Sequence, residues 1–230
     1  AIAIKLGIAP FHLWLPETLQ GINIKTGLIL STWQKLAPIS LMIQMSHLTN
    51  LPLLMLMGIT SALLGGWSGI NQTQTRKIMA FSSIAHLGWM ASVLNLAPNL
   101  TLLNFLLYTV MTSALFLTFM TLNTKNMMEL ATFWSKNPTL SALSLLSLLS
   151  LSGLPPLTGF MPKWLIAQEM VKQELILFTL IILLSSLLSL FFYLRVTYTL
   201  SLTLAPNLSF FPLPWSTHKK NSMAPMIILS

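Results

Sequence analysis

Apolar residues fill this chain in long runs that are separated by short polar or proline-containing segments. A helix needs roughly 20 residues to cross the ~30 Å hydrocarbon core of a bilayer. The last run ends in Tyr193, Arg195 and Tyr198, residues typical of a membrane–water interface belt. The pattern therefore predicts membrane-embedded helices over residues 1–15, 22–45, 51–70, 78–96, 100–122, 138–173 and 174–204.

The run over residues 138–173 is too long for one straight crossing. Residues 153–156 read Gly-Leu-Pro-Pro near its middle, and Gly159 follows. Proline lacks a backbone donor and clashes with the preceding helical turn. We therefore expect a broken helix, which a membrane tolerates where the freed backbone faces protein or water.

Loop charges agree with this count of spans. If successive spans alternate in direction, one side of the membrane receives seven cations and the other receives only Lys172. Such an asymmetry is typical of the positive-inside rule and predicts that the cation-rich side faces the compartment of synthesis. The seven are Lys25, Arg76, Lys77, Lys125, Lys136, Lys219 and Lys220.

Composition excludes several functions. Hydrophobic residues make up 54% and charged residues 7%, so this is a polytopic membrane protein. The net charge of +8 reflects only four acidic residues, with scattered cations, and does not indicate nucleic-acid binding. The absence of cysteine excludes disulfides, zinc–sulfur sites and iron–sulfur ligation. Because apolar runs stand unfinished at both ends, we expect a piece of a longer chain.

Three lysines fall inside the apolar runs. By helical rise, Lys35 lies about 20 Å from the start of its run, Lys5 about 18 Å before Glu17, and Lys163 about 14 Å before Lys172. An ammonium at that depth costs several kcal/mol unless water, a partner charge or loss of its proton relieves it. Snorkelling fits poorly, because a lysine stem reaches only about 6 Å, far short of either interface.

These lysines suit a proton relay, since burial favours the neutral amine and each neighbouring charge shifts that balance. The competing interpretation is a structural lysine bonded to a backbone carbonyl. His86 is a further relay candidate, or else a core histidine bonded to a serine or carbonyl. Glu169 and Lys172 are spaced to form a local ion pair, with Glu169 also a possible partner of Lys163.

Four motifs carry a family resemblance. They read KLGIAPFHLWLPE over residues 5–17, WQKLAP over 33–38, RKIMAFSSIAHLG over 76–88 and SGLPPLTGFMPKW over 152–164. In this order, and over essentially the whole chain, the sequence resembles the antiporter-like subunits of respiratory NADH:quinone oxidoreductase, complex I.

The resemblance implies an all-α polytopic bundle with two inverted repeats of five helices and discontinuous helices at matching positions. Residues 1–50 would end the first repeat, with its broken helix ending at Pro16. Residues 51–204 would form the second repeat, and 205–230 a polar connection with the start of a further helix. Such a chain would be truncated at both ends.

The resemblance also assigns roles to the candidate residues. Lys5 matches the pump lysine of the first half-channel, Lys35 the central connecting lysine and Lys163 the ionisable residue of the second half-channel. His86 matches a polar position along the hydrated axis. No residue of this chain matches the glutamate that pairs with the first lysine in that family.

The implied function is proton translocation coupled to electron transfer from NADH to ubiquinone in other subunits. NADH, FMN, iron–sulfur clusters and ubiquinone are expected elsewhere in the complex, and no cofactor or metal on this chain. The expected partners are other membrane subunits and the lipid of the mitochondrial inner membrane, with the cation-rich loops on the matrix side. Two alternatives stay open: a cation/proton antiporter subunit, and a structural membrane subunit without transport.

Overall fold

A computed structural model describes residues 1–122, 124, 126–131 and 138–202 of the chain. The described residues form a bundle of α-helices with a short 3-10 turn at Ser46–Leu48. The helices are α1 (Ile2–Leu6), α2 (Trp14–Gly21), α3 (Ile24–Ser31), α4 (Trp33–Gln44), α5 (Leu51–Gly69), α6 (Thr75–Val93), α7 (Pro98–Leu122), α8 (Met127–Ala131), α9 (Pro138–Ser152), α10 (Phe160–Lys172) and α11 (Ile176–Ser201).

Most of the predicted spans are confirmed within three residues at either end. Among the described residues, α5, α7 and α11 are long and apolar enough to cross a membrane by themselves. The predicted break in residues 138–173 is also confirmed, because α9 ends at Ser152 and α10 begins at Phe160. The polar connection at 205–221 and the final apolar run lie outside the described residues.

The prediction of one continuous helix over 22–45 is wrong. The chain leaves regular α-helix at Thr32 (φ −113°, ψ −68°), which separates α3 from α4. Thr32 and Ser31 both turn their hydroxyls onto the Leu28 carbonyl, and Pro38 lies inside α4. Since back-bonded hydroxyls bend helices, Ser31 and Thr32 account for the discontinuity, while α4 accommodates Pro38.

The first run is broken as the family resemblance implied, but its second half does not stop at Pro16. Helix α1 ends at Gly7 in the left-handed conformation (φ +78°), and turns lead to α2, which continues to Gly21. Pro16 lies in the first turn of α2, where its missing N–H has no intrahelical partner to lose.

Helices α5 and α6 pack with their backbones in contact. A Cβ atom added to Gly88 would lie 2.6 Å from the Gly58 carbonyl oxygen, and one added to Gly65 would lie 2.7 Å from the Ala85 nitrogen. Small residues permit such close approach between membrane helices. As a result α6 is buried from Ile78 to Val93, and its polar side chains lie in the interior.

The loops divide between two ends of the bundle as their charges predicted. At one end, Arg76 donates to the carbonyls of Gln20 and Ile22, and the Met127 N–H donates to the Thr73 carbonyl at 2.9 Å. We call this group of loops, residues 20–25, 70–77, 124 and 126–127, the cationic end. Of its predicted cations, Lys125, Lys136, Lys219 and Lys220 lie outside the described residues.

The opposite end is held together by uncharged contacts. The Asn95 amide donates to the Thr49 carbonyl at 3.0 Å, which joins the loop after α4 to the loop after α6. Leu51, Leu96 and Leu175 pack against one apolar cluster, so the loop before α11 lies here too. The alternating direction of these helices is therefore confirmed for the described loops.

One interface prediction fails. Tyr198 is 56% exposed, as expected of a residue at the membrane surface, but Tyr193 is only 1% exposed. Tyr193 lies on the inner face of α11 and packs with Met79, Phe119 and Leu151. Its spacing from Tyr198 explains the difference, because five residues turn a helix through about 500°, well away from the same face.

Candidate functional site

Lys163 lies in the first turn of α10 and is buried, with 9% of its surface exposed. Its ammonium donates a hydrogen bond to the Ser152 carbonyl at 2.8 Å. Ser152 is the last residue of α9, so the lysine binds the carbonyl end of a half-helix, where the helix dipole is negative. The break thus creates the acceptor that an unbroken helix would have used internally.

Two glycines permit this geometry. Gly153 has a left-handed backbone (φ +83°), and a Cβ there would lie 2.9 Å from the Lys163 Nζ. A Cβ at Gly159 would lie 1.8 Å from the Ser150 carbonyl oxygen. Both positions therefore require glycine, since any side chain would displace the ammonium or the carbonyl end of α9.

Lys35 lies in the first turn of α4 and is 3% exposed. Its ammonium donates to the Tyr108 hydroxyl at 3.4 Å and lies 5.2 Å from the centre of the Tyr108 ring. A phenol oxygen and an aromatic face both stabilise a cation without carrying a full negative charge. In the described part of the chain, no carboxylate forms an ion pair with Lys35 or with Lys163.

His86 on α6 connects the two lysine environments. Its ring lies 5.4 Å from the Tyr108 ring, centre to centre, and against the Leu151 carbonyl at the end of α9. It interacts electrostatically with both Lys163 and Lys35. The structure therefore brings together three of the four residues predicted from the sequence.

Lys5 is placed differently. Its side chain is exposed and lines an open groove of about 680 Å³ between α1 and α4, together with Trp14, Gln34, Pro38 and others. Its ammonium makes no hydrogen bond to the described residues. Gln34, which also lines this groove, is the sequence neighbour of Lys35, but Lys5 itself lies outside the buried cluster.

The acidic residues form a lesser part of the site. The predicted local pair is confirmed, with Lys172 Nζ 3.4 Å from Glu169 Oε2 at the surface of α10. Lys163 bonds to a carbonyl and not to Glu169, so the alternative partnership is wrong.

Tyr108 is the residue that the sequence did not reveal. It is 2% exposed, contacts both Lys35 and His86, and lies in the middle of the apolar helix α7. A tyrosine is unusual so far from a membrane interface, and the chain holds only three. The position of Tyr108 in the middle of a long apolar run was the feature of the sequence that could have indicated a functional residue.

The described residues thus place two buried ammonium groups and an imidazole in one interior of a membrane bundle, each beside a helix discontinuity or an aromatic hydroxyl. Such an arrangement is typical of membrane proteins that bind or move ions, because buried ionisable groups on discontinuous helices form binding and relay sites for ions.

Comparison with known proteins gives the family. Residues 1–189 match the family described as NADH:quinone oxidoreductase/Mrp antiporter, transmembrane, and residues 190–230 match the NADH dehydrogenase subunit 2 C-terminus. The chain is 56% identical over 230 residues to NADH-ubiquinone oxidoreductase chain 2 of Xenopus laevis, covering all of this chain and 66% of the relative. The same values hold for the chain 2 protein of Salmo salar.

A solved structure agrees. Respiratory complex I from Thermus thermophilus with bound aureothin superposes with a TM-score of 0.82 at 25% identity, over 99% of this chain and 52% of that one. The chain therefore belongs to the NADH:quinone oxidoreductase/Mrp antiporter transmembrane family. It spans 66% of the length of the curated relatives named above.

Proposed function

We propose that this chain is a core membrane subunit of mitochondrial respiratory complex I and that it carries part of a proton-translocating relay. Its relatives bear the name NADH-ubiquinone oxidoreductase chain 2. Electron transfer from NADH to ubiquinone, with its FMN and iron–sulfur clusters, takes place in other subunits. The partners are other membrane subunits of that complex and the surrounding lipid.

The observation that carries this proposal is the pair of buried lysines on either side of His86. Lys35 and Lys163 bind a phenol oxygen and a backbone carbonyl, which are neutral acceptors. A neutral acceptor stabilises the ammonium but does not lock the proton as a carboxylate would. Protonation of one site therefore alters the affinity of the next site for a proton, which is the coupling that a relay requires.

We further propose that the helices follow the family's repeat organisation. The helices α5, α6, α7, the broken pair α9–α10 and α11 would make five spans of the second repeat, residues 51–204. The broken pair α1–α2 and helices α3–α4 would close the first repeat within residues 1–50. In support, each break contains a glycine with a left-handed backbone directly after the helix that ends there, Gly7 in one and Gly153 in the other.

In this proposal Lys5 serves the first half-channel, Lys35 the connection and Lys163 the second half-channel, with His86 between the last two. The cationic end faces the matrix of the mitochondrion, the compartment in which the positive-inside rule would place it. Lys5 lies outside the buried cluster, in the open groove between α1 and α4.

The test is Lys35→Met in the assembled enzyme, reconstituted into sealed vesicles. Methionine keeps most of the side-chain volume and removes the ammonium. We expect proton pumping to fall by about 100-fold, the lower range for loss of a positioned proton-transfer group. Lys25→Met is the matched control. Lys25 is exposed at the cationic end, so this variant should pump like the wild type.

The two other functions make different predictions. If the chain is a structural subunit without transport, the Lys35→Met enzyme should assemble and pump normally. A cation/proton antiporter subunit, which the family name includes, requires transport that depends on sodium. If Lys35→Met does not pump, the structural subunit is excluded. If wild-type pumping does not depend on sodium, the antiporter subunit is excluded.

A further inference from the structure

The outer face of α11 carries a stripe of exposed apolar side chains that leads to a cation. The stripe consists of Leu180, Leu184, Leu187 and Phe191. Their spacing of three or four residues places them on one side of the helix, and Arg195 and Tyr198 continue that side. The stripe is about 16 Å long, close to the ~15 Å of hydrocarbon in one leaflet of a bilayer. It therefore has the length and polarity to accept a phospholipid chain, with a cation where the headgroup would lie.

A groove lies where the stripe reaches the cationic end of the bundle. It has a volume of about 450 Å³ and is lined by residues of α11 that include Phe191, Arg195 and Tyr198. Tyr198 is exposed, and so is Trp67 in the last turn of α5. Exposed tyrosine and tryptophan are typical of the membrane–water interface, where the lipid headgroups begin. The groove is thus at the depth of a headgroup.

Arg195 is held at this depth with most of its hydrogen-bonding capacity unused. One guanidinium N–H donates to the carbonyl of Ile70, directly after the end of α5. A guanidinium has five N–H donors, in a fork that matches two oxygens of a phosphate. Among the described residues, the ion pair of Lys172 with Glu169 is the sole one, so no carboxylate there neutralises Arg195. Arg195 is also partly exposed, and its free donors can receive an anion from the lipid phase.

A second groove on the outside of the bundle provides a contrast. It has a volume of about 410 Å³ and is lined by residues of α10 that include Trp164 and Lys172. The two grooves are alike in size and in having an aromatic residue near a cation. They differ in charge, because Lys172 is paired with Glu169 and Arg195 has no such partner among the described residues. Charge complementarity therefore favours an anion in the α11 groove and not in the α10 groove.

We propose that the outer face of α11 binds one anionic phospholipid from the leaflet at the cationic end. The lipid phosphate accepts hydrogen bonds from Arg195, and one acyl chain lies along the stripe from Phe191 to Leu180. An anionic lipid is preferred to a zwitterionic one, because it brings a net negative charge to an arginine that has none beside it. Lipid binding here involves no proton transfer, so the inference does not rest on the relay.

The test uses photoactivatable phospholipids in vesicles that contain the assembled enzyme. Phosphatidylglycerol and phosphatidylcholine carry the same photoactivatable chain, and the labelled peptides are identified by mass spectrometry. We expect phosphatidylglycerol to label α11 about fivefold more than phosphatidylcholine does, the preference that one cation near a membrane surface gives. The α10 peptide that contains Trp164 should show no preference and serves as the internal control.

Arg195→Gln is the first variant, because glutamine removes the charge and keeps an amide that can donate a hydrogen bond. We expect the two lipids to label α11 of this variant equally. Arg195→Lys keeps the charge and should retain a preference for phosphatidylglycerol. Lys172→Gln is the matched control, since it removes a cation from the α10 groove and should leave the preference at α11 at its wild-type value. The comparison of lipids on the wild-type enzyme decides the matter even if a variant assembles poorly.

Three results would overturn the proposal. Equal labelling of wild-type α11 by both lipids would show that the stripe contacts lipid without selection. Absence of labelling by either lipid would show that protein, from another subunit or another part of this chain, covers the stripe. A wild-type preference that survives in Arg195→Gln would show that the anion is held by another residue.

The lipid site and the proton relay can fail separately. The Lys35→Met enzyme should keep the wild-type preference at α11, because Lys35 lies in the buried cluster and not on the outer face of α11. Normal pumping by Lys35→Met would overturn the relay and leave the lipid site standing. Equal labelling of wild-type α11 would overturn the lipid site and leave the relay standing.

Discussion

Neutral groups surround the ammonium groups of Lys35 and Lys163. A hydrogen bond to a charged group contributes about 1.5–3 kcal/mol, which offsets only part of the several kcal/mol needed to bury an ion. A buried ammonium that neutral groups stabilise only in part is typical of a functional site in a membrane protein. The bond from Lys163 to the Ser152 carbonyl is also the contact expected of a structural lysine, so the pumping of a Lys163→Met variant separates the two interpretations.

We expect Gly153→Ala to impair pumping although it leaves every ionisable group in place. Its left-handed backbone would cost an alanine about 1–2 kcal/mol, and the new Cβ would meet the Lys163 ammonium at 2.9 Å. We expect the lysine to lose the Ser152 carbonyl and the pumping rate in reconstituted vesicles to fall about tenfold or more.

Gly21→Ala is the matched control for that measurement. Gly21 ends α2, has no left-handed backbone, and a Cβ there meets nothing within 4 Å. It should assemble and pump like the wild type. Normal pumping by Gly153→Ala would show that the contact between Lys163 and the end of α9 has no part in transport.

At the scale of elements, all three lysines lie within four residues of a helix end. Lys5 precedes the end of α1 by one residue, and Lys35 and Lys163 lie in the first turns of α4 and α10. Helix ends leave carbonyl and N–H groups without intrahelical partners, so a polar side chain there finds neighbours that a continuous helix lacks. The breaks and the lysines are thus parts of one arrangement.

The break in residues 138–173 was predicted from the residues, the first break was implied by the family resemblance, and the break at Thr32 was missed for a physical reason. Gly153, Pro155 and Pro156 leave no continuous helix possible, and Pro10 marks the first break. Near Lys35 the only breaker is Pro38, which α4 accommodates, while the discontinuity falls at Thr32. Side-chain hydroxyls that bond back to Leu28 depend on local packing, which periodicity does not contain.

The site was predicted to a similar extent. Lysines inside apolar runs are visible as charges, so Lys35 and Lys163 could be found from the sequence. Tyr108 and Tyr193 could not, because a tyrosine is equally at home at an interface, and which face of α7 or α11 it occupies depends on the packing of neighbouring helices. Tyr193 was accordingly misplaced to the membrane surface.

At the scale of the whole molecule, the two ends of the bundle give the proposed orientation. These 230 residues contain no cysteine, so an introduced cysteine is the one thiol in this part of the protein. Asn71 is exposed at the cationic end and Gln173 is exposed at the other. We expect an impermeant maleimide to label Asn71→Cys only from the matrix side and Gln173→Cys only from the opposite side. Labelling of both from one side would contradict the alternation, and a reversed pattern would contradict the orientation.

The most direct test of the relay is the proton yield of a Lys163→Met variant in the assembled enzyme, measured as protons pumped for each ubiquinone reduced in sealed vesicles. We expect normal assembly, with the number of protons pumped for each ubiquinone lowered to about a hundredth of the wild-type value, the effect expected for loss of a group that transfers the proton. Wild-type pumping by a fully assembled Lys163→Met enzyme would contradict it.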